Sequence, residues 1–147
     1  MTTLQWRPEL LLNVAEIDRQ HREVVDCASR LHAAISEGQA QEQLRPMLSA
    51  LIAFTEMHFA CEEAMMLAHA FDGHAAHRSE HQKLLKQIYL VDTDFSSRCI
   101  DPCQALALFL EVWIDQHILS LDRHFAEFLK SKGVDYGPEA TGVPKAA

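Results

Sequence analysis

Histidine and carboxylate residues recur at helical steps along this chain, and that pattern restricts its fold more than any other feature. His58-x-x-x-Glu62 and His77-x-x-x-His81 are each four residues apart, so at about 100° per residue each pair returns to within about 40° of its starting direction, one turn along a helix. Both side chains of a pair can then reach one ion. His117 and Asp122 are five apart, which on an α-helix separates them by about 140°, so this pair is expected to straddle a site. His124 follows His117 by seven and lies on nearly the same stripe; spacing alone lets it compete with Asp122. His21 adds a fifth imidazole. Nine histidines among 147 residues are about three times ordinary usage.

The apolar pattern supplies the helices that carry these groups. Val24, Val25, Ala28, Leu31, Ala34 and Ile35 repeat at helical spacing, with Gly38 as a stop, and predict a first helix over about Asp18 to Glu37. Leu44, Met47, Leu48, Leu51, Ile52, Phe54, Phe59 and Met65 predict a second from about Gln41 to Ala68, with Pro46 tolerable in its first turn. After a turn at Phe71-Asp72-Gly73, a third helix carries His77, His81, Leu84, Leu85, Ile88 and Val91 and ends near Asp92. Asp101-Pro102 starts a fourth, which runs through Leu106, Phe109, Leu110, Trp113, Ile114, Ile118, Leu121 and Phe125 to about Lys132. Short loops between four long amphipathic segments predict an all-α, antiparallel up-down four-helix bundle, in which metal sites are built from inward-facing side chains. The expected organisation is one domain over residues 1–132, with an N-terminal arm carrying Trp6 and Pro8, and a loose tail over 133–147.

Charge excludes some partners. Thirteen basic against twenty-one acidic residues give a formal charge of -8, and no basic stripe is available to neutralise phosphates, so nucleic acid is not expected as a partner. No stretch approaches the roughly 18 apolar residues of a membrane span, and the first residues do not read as an export signal. A soluble, cytoplasmic protein is expected, with Cys27, Cys61, Cys99 and Cys103 as free thiols.

If two octahedral metals share three bridging ligands, about twelve positions exist, of which Glu62, Asp122 and one solvent-derived oxygen take six. Five histidines fill five more, and one stays open for a small molecule. Imidazole and carboxylate donors without thiolate suit iron, manganese or zinc, and an oxygen-bridged redox pair favours iron. The Glu-x-x-His that ferritin-like bundles carry twice is absent. With only two carboxylates the centre stabilises high-valent iron less well, which favours reversible binding over oxidation of strong C–H bonds. His32, His69 and His74 are read as structural or solvated, and Trp113 as core packing.

Set in order, Ile17-Asp18-Arg19-Gln20-His21, His58-Phe59-Ala60-Cys61-Glu62-Glu63, His77-x3-His81 and His117-Ile118-x3-Asp122, after an arm with a tryptophan, make the chain resemble the bacterial hemerythrins over about residues 6 to 130. The resemblance selects Asp122 over His124. It implies two iron ions per chain bridged by an oxo or hydroxo group, Glu62 and Asp122, with His77, His81 and His117 on one iron and His21 and His58 on the other. The open position then belongs to the iron of His21 and His58. The implied function is reversible dioxygen binding, for storage, delivery or sensing, in a dry apolar pocket to which Phe59, Ile118 and Leu121 are assigned. An oxygen-binding protein is expected ahead of an enzyme. The same vacancy admits nitric oxide or peroxide, so a di-iron peroxidase or a nitric oxide or peroxide reductase is the competing reading, with metal handling a third.

Overall fold

A computed structural model describes residues 6–97 and 102–134, apart from the side chains of 94–97, 102, 103 and 115. The described chain is helical. A 3-10 turn, Pro8–Leu10, precedes α1 (Ala15–Ser36), α2 (Gln41–Ala68) and α3 (His74–Ser97). The last helical stretch has three parts: α4 (Pro102–Val112), a π-helical segment (Trp113–Asp122) and α5 (Arg123–Ser131). α1 packs on α2 and α4, and α3 packs on α2 and α4, so the four stretches close into the expected bundle.

Helix ends explain where the boundaries fall. α1 begins three residues before the expected Asp18, because Asp18 serves a different purpose. Its carboxylate accepts the backbone N–H groups of Leu12, at 2.8 Å, and Asn13, at 3.0 Å, so it holds the arm from inside the first turn. At the other end Gly38, with φ +75, lets its own N–H reach the Ile35 carbonyl and that of Gln39 reach Ala34, the paired bonds of a left-handed helix stop. α2 ends the same way on an alanine: Ala70 has φ +53, with Ala70 N–H on Leu67 and Phe71 N–H on Met66.

Two boundary expectations need correction. Pro46 is the sixth residue of α2 and not in its first turn. Proline deprives Glu42 of its helical donor, but both residues are exposed, where solvent can take that carbonyl. α3 continues five residues past Asp92, to Ser97, since no glycine or proline interrupts Thr93–Ser97. The cap expected at Asp101, the Cys99 and Cys103 side chains and the tail from residue 135 lie outside the described residues. Among the described residues, neither Cys27 nor Cys61 is disulfide-bonded.

Two apolar clusters form the core. The larger unites Val24, Leu31, Leu51, Phe59, Ile88, Phe109, Trp113 and Ile118, all nearly fully buried, with contributions from every helix of the bundle but α5. The smaller gathers Leu12, Val14 and Ile17 with Met65, Met66, Phe71, Phe125 and Leu129. The arm therefore plugs one end of the bundle, assisted by Arg123, which donates to the Glu9 carbonyl at 2.9 Å. Between the clusters lies a layer of buried polar residues. Among the described residues no helix is long and apolar enough to cross a membrane.

Candidate metal centre

The polar layer consists of Glu16, Gln20, His21, Thr55, His58, Glu62, His77, His81, His117 and Asp122, each at most 2% exposed. Burying so many ionisable groups is costly unless they are paired or bind metal. All seven side chains expected to be ligands are brought together here, from all four helical stretches. They fall into two overlapping sets: Glu62, His77, His81, His117 and Asp122, and His21, His58, Glu62 and Asp122, with one donor atom of each residue within 4.8 Å of the others in its set. Only the two carboxylates belong to both.

Asp122 reaches this layer through the backbone. On an α-helix it would stand well around the axis from His117, but the segment Trp113–Asp122 is π-helical, and i→i+5 hydrogen bonds bring residues five apart nearly into line. The N–H of Arg123, for example, bonds to the carbonyl of Ile118. His117 Nε2 and Asp122 Oδ1 are 3.0 Å apart. The pair therefore stacks instead of straddling the site. His124 is exposed and lies against Phe71, ring centroids 5.7 Å apart, away from the layer.

Around Glu62 Oε1 stand His77 Nε2 at 2.9 Å and His81 Nε2 at 3.1 Å. Asp122 Oδ1 lies 2.8 Å from His77 Nε2, and Asp122 Oδ2 lies 3.0 Å from His21 Nε2. His58 Nε2 is 3.9 Å from Glu62 Oε2. Proximity does not make these groups good hydrogen-bond partners. Both nitrogens of His21, Nε2 of His58 and His81, both oxygens of Glu62 and Asp122 Oδ2 are buried without an aligned partner. His77 Nε2 and His117 Nε2 face one another at 3.1 Å. Nitrogen and oxygen donors bind a zinc-sized ion at about 2.0–2.2 Å, which puts donors of one ion at most about 4.4 Å apart. The observed sets are close to that spacing, and a cation would satisfy the atoms that hydrogen bonding leaves orphaned. The residues fit a metal.

Electrostatics agree. Burial, reinforced by the like charge of His21, pushes the His58 imidazole down to about 3, leaving it neutral as a ligand must be. Burial opposes a charge on His77 as well, but the nearby Asp122 and Glu62 carboxylates prevail and raise it to about 10. For Glu62, burial and Asp122 favour the neutral acid, yet His77 and His81 hold it at about 2. Burial likewise works against the Asp122 carboxylate, and His117, with His21 and His77, keeps it well below its ordinary value.

Related proteins are similar to this chain over most of its length. The family profile "Hemerythrin HHE cation binding domain" matches residues 12–129. The chain belongs to the hemerythrin family. Proteins named Bacteriohemerythrin are similar to it over most of their length: that of Ralstonia nicotianae is 31% identical over 140 residues, 95% of this chain and 98% of its own. The Methylococcus capsulatus protein is 29% identical over 132 residues, 89% of this chain and all of its own. In Stenotrophomonas maltophilia the values are 27% over 131 residues, 89% and 84%. As a hemerythrin-family domain, the bundle carries a His, Glu and Asp cluster able to hold a metal.

Around this hemerythrin-type cluster the apolar residues are distributed unevenly. Phe59 stacks on His81 with centroids 4.0 Å apart and also lies 5.6 Å from the His58 ring. Ile118 is fully buried in the larger cluster, whereas Leu121 is half-buried and belongs to neither. Trp113 is core, as expected, but it also meets His21 and His58 edge-on, at 5.6 and 6.5 Å. His32, His69 and His74 are partly buried. Sequence reasoning missed three polar residues behind the cluster. Gln20 Oε1 is 2.8 Å from His58 Nδ1, and Glu63 Oε2 is 2.8 Å from His81 Nδ1. Behind Gln20 lies the buried Glu16. Gln20 and Glu63 directly adjoin His21 and Glu62 in the sequence, and Glu16 stands one turn before Gln20, positions that many surface residues also occupy.

Proposed function

We propose that this chain binds dioxygen reversibly at a pair of iron ions held by His21, His58, Glu62, His77, His81, His117 and Asp122. Glu62 and Asp122 would bridge the pair, together with a solvent-derived oxo or hydroxo group. The observation that carries this reading is the inequality of the two donor sets, five residues against four around two shared carboxylates. Two six-coordinate ions with a third, solvent bridge would then be complete at His77, His81 and His117 and one ligand short at His21 and His58. Iron supplies the reversible exchange of electrons with dioxygen, which zinc cannot.

The protein's own contribution is to fix the imidazoles, hold both carboxylates charged without an external counter-ion, and keep water out. Phe59, Ile118 and Leu121 are the proposed apolar lining, and Trp113 joins them on the side of His21 and His58. The five-histidine, two-carboxylate set favours binding over turnover, so storage, delivery or sensing stands ahead of peroxide or nitric oxide reduction. A cytoplasmic setting belongs to the same reading, because a reducing compartment suits cysteines such as Cys27 and Cys61 that form no disulfide.

The test is a visible spectrum of anaerobically reduced protein through one cycle of oxygen exposure and removal, with iron determined on the same sample. A charge-transfer band that appears with oxygen and vanishes on its removal, at two irons per chain, is expected. A band that bleaches irreversibly, or sustained turnover of peroxide with a reductant, would overturn the binding reading in favour of an enzyme.

A further inference from the structure

The two ends of the cluster are supported by different chemistry. At one end His81 Nδ1 lies 2.8 Å from Glu63 Oε2, and Glu63 in turn lies 3.5 Å from Arg78. At the other end His58 Nδ1 lies 2.8 Å from Gln20 Oε1. An amide side chain can present either its oxygen or its nitrogen, and with the two exchanged it would demand the opposite tautomer of His58. The neighbour of Gln20 removes that freedom. Gln20 Nε2 donates to Glu16 Oε1 at 3.1 Å, and Glu16 is itself held by Arg19, whose Nε donates to Oε2 at 3.2 Å and whose Nη2 donates to Oε1. A carboxylate only accepts, so the amide nitrogen must face Glu16 and the amide oxygen must face His58. His58 Nδ1 must then carry the hydrogen, and Nε2 keeps its lone pair toward Glu62 and Asp122.

We propose that Gln20, clamped by Glu16 and Arg19, is a positioning residue that fixes the tautomer and ring direction of His58 and gives the His21/His58 end a neutral backing where the His81 end has an anionic one. The inference rests on the proposed metal centre for its consequence, though not for the tautomer. An acceptor behind a ligating imidazole raises its basicity, and a carboxylate does so more than an amide. The His58 end is therefore the weaker metal-holding end, the one at which the open position is proposed. Arg19 is half exposed, so the clamp runs from solvent to the cluster through three side chains of α1, spaced within one turn.

Three proteins test this: the full chain and its Gln20→Met and Glu16→Leu variants. Gln20→Met keeps the side-chain volume and removes the acceptor, whereas Glu16→Leu leaves Gln20 present but free to turn. In metal-free protein, long-range nitrogen–proton NMR of the His58 ring is expected to show the Nδ1–H form alone, and a mixture of both forms in each variant. In iron-loaded protein a chelator is expected to remove metal in two phases. The faster phase should quicken by about 10–100-fold in Gln20→Met, the usual cost of losing such a support, with the slower phase unchanged. An Nε2–H tautomer in the parent protein, or an unaltered tautomer and fast phase in both variants, would overturn the positioning role. Failure of the parent to hold two irons would instead sink the proposed centre and leave the tautomer result standing. Circular dichroism and a cooperative melt of each variant separate misfolding from these outcomes.

Discussion

Phe59 and His81 lie face to face, their ring centroids 4.0 Å apart and their planes 6° from parallel. One ring belongs to the apolar core and the other to the polar layer, so the stack couples packing to ligand geometry. Phe59→Ala should lower the unfolding free energy of metal-loaded protein by about 3–5 kcal/mol, as expected for a buried phenylalanine. Phe59→Leu should cost less because it leaves a smaller void. Chemical denaturation of both variants checks this, and equal losses would show that the volume is not what matters.

Metal-free protein should be most stable near pH 6.5. His58 is lowered from 6.5 to about 3 on folding, so between those values the unfolded chain binds more protons and stability rises with pH. Glu62, lowered from 4.5 to about 2, acts in the same direction in its own range. His77 is raised from 6.5 to about 10; its contribution is complete below 6.5 and is lost as pH rises toward 10. Melting temperatures of chelator-treated protein between pH 4 and 10 would test this, and a flat alkaline limb would contradict the His77 environment.

Metal uptake at neutral pH should release a proton. The proton held by His77 has to leave before Nε2 can coordinate, so apparent affinity should increase with pH up to about 10. Calorimetric titrations in buffers of different ionisation enthalpy count the protons. A count of zero at pH 7 would show that His77 is neutral before the metal arrives.

Glu62→Ala should reduce iron from the proposed pair to one ion or none, because both donor sets share that carboxylate. His124→Ala should leave the iron content unchanged, since His124 is exposed outside the cluster. Elemental analysis of the two purified variants distinguishes them, and iron loss in His124→Ala would contradict the placement of Asp122.

Ala70→Gly should stabilise the protein. Ala70 has φ +53 at the end of α2, a left-handed conformation that costs an L-residue with a Cβ about 1–2 kcal/mol. Glycine avoids that cost but loses about 0.5–1 kcal/mol of chain entropy, so a gain of about 0.5–1 kcal/mol is expected. A higher melting temperature in the variant would show it.

Legibility in the sequence followed backbone regularity. His58 with Glu62 and His77 with His81 sit on uninterrupted α-helices, where a four-residue step means one face, and their meeting in space follows from the bundle. The bounds of α2, Gln41–Ala68, are those its apolar pattern predicts. The alignment of His117 with Asp122 is not legible, because a π-helical turn leaves no mark in hydrophobic spacing. Glu16, Gln20 and Glu63 are illegible for a different reason: polar residues beside a ligand, or a turn further along, look like a solvated face until burial is known, and Glu16 is only 2% exposed. The apolar pattern starts the first helix at about Asp18, but α1 begins at Ala15 and Asp18 sits inside its first turn, where it binds two N–H groups of the preceding arm.

The π-helical stretch from Trp113 to Asp122 also divides the last helix into two threads cut at different phases. Side chains before and within it, such as Phe109 and Trp113, mesh with the larger apolar cluster, while Phe125 and Leu129 beyond it mesh with the arm at the other end. A one-residue deletion inside the stretch would act as a frameshift on that screw, turning everything after it by about 100°. Phe125 and Leu129 would leave the plug, and the arm would lose the surface it closes against. The length of this segment thus sets both the geometry of the cluster and the seal at the end of the bundle.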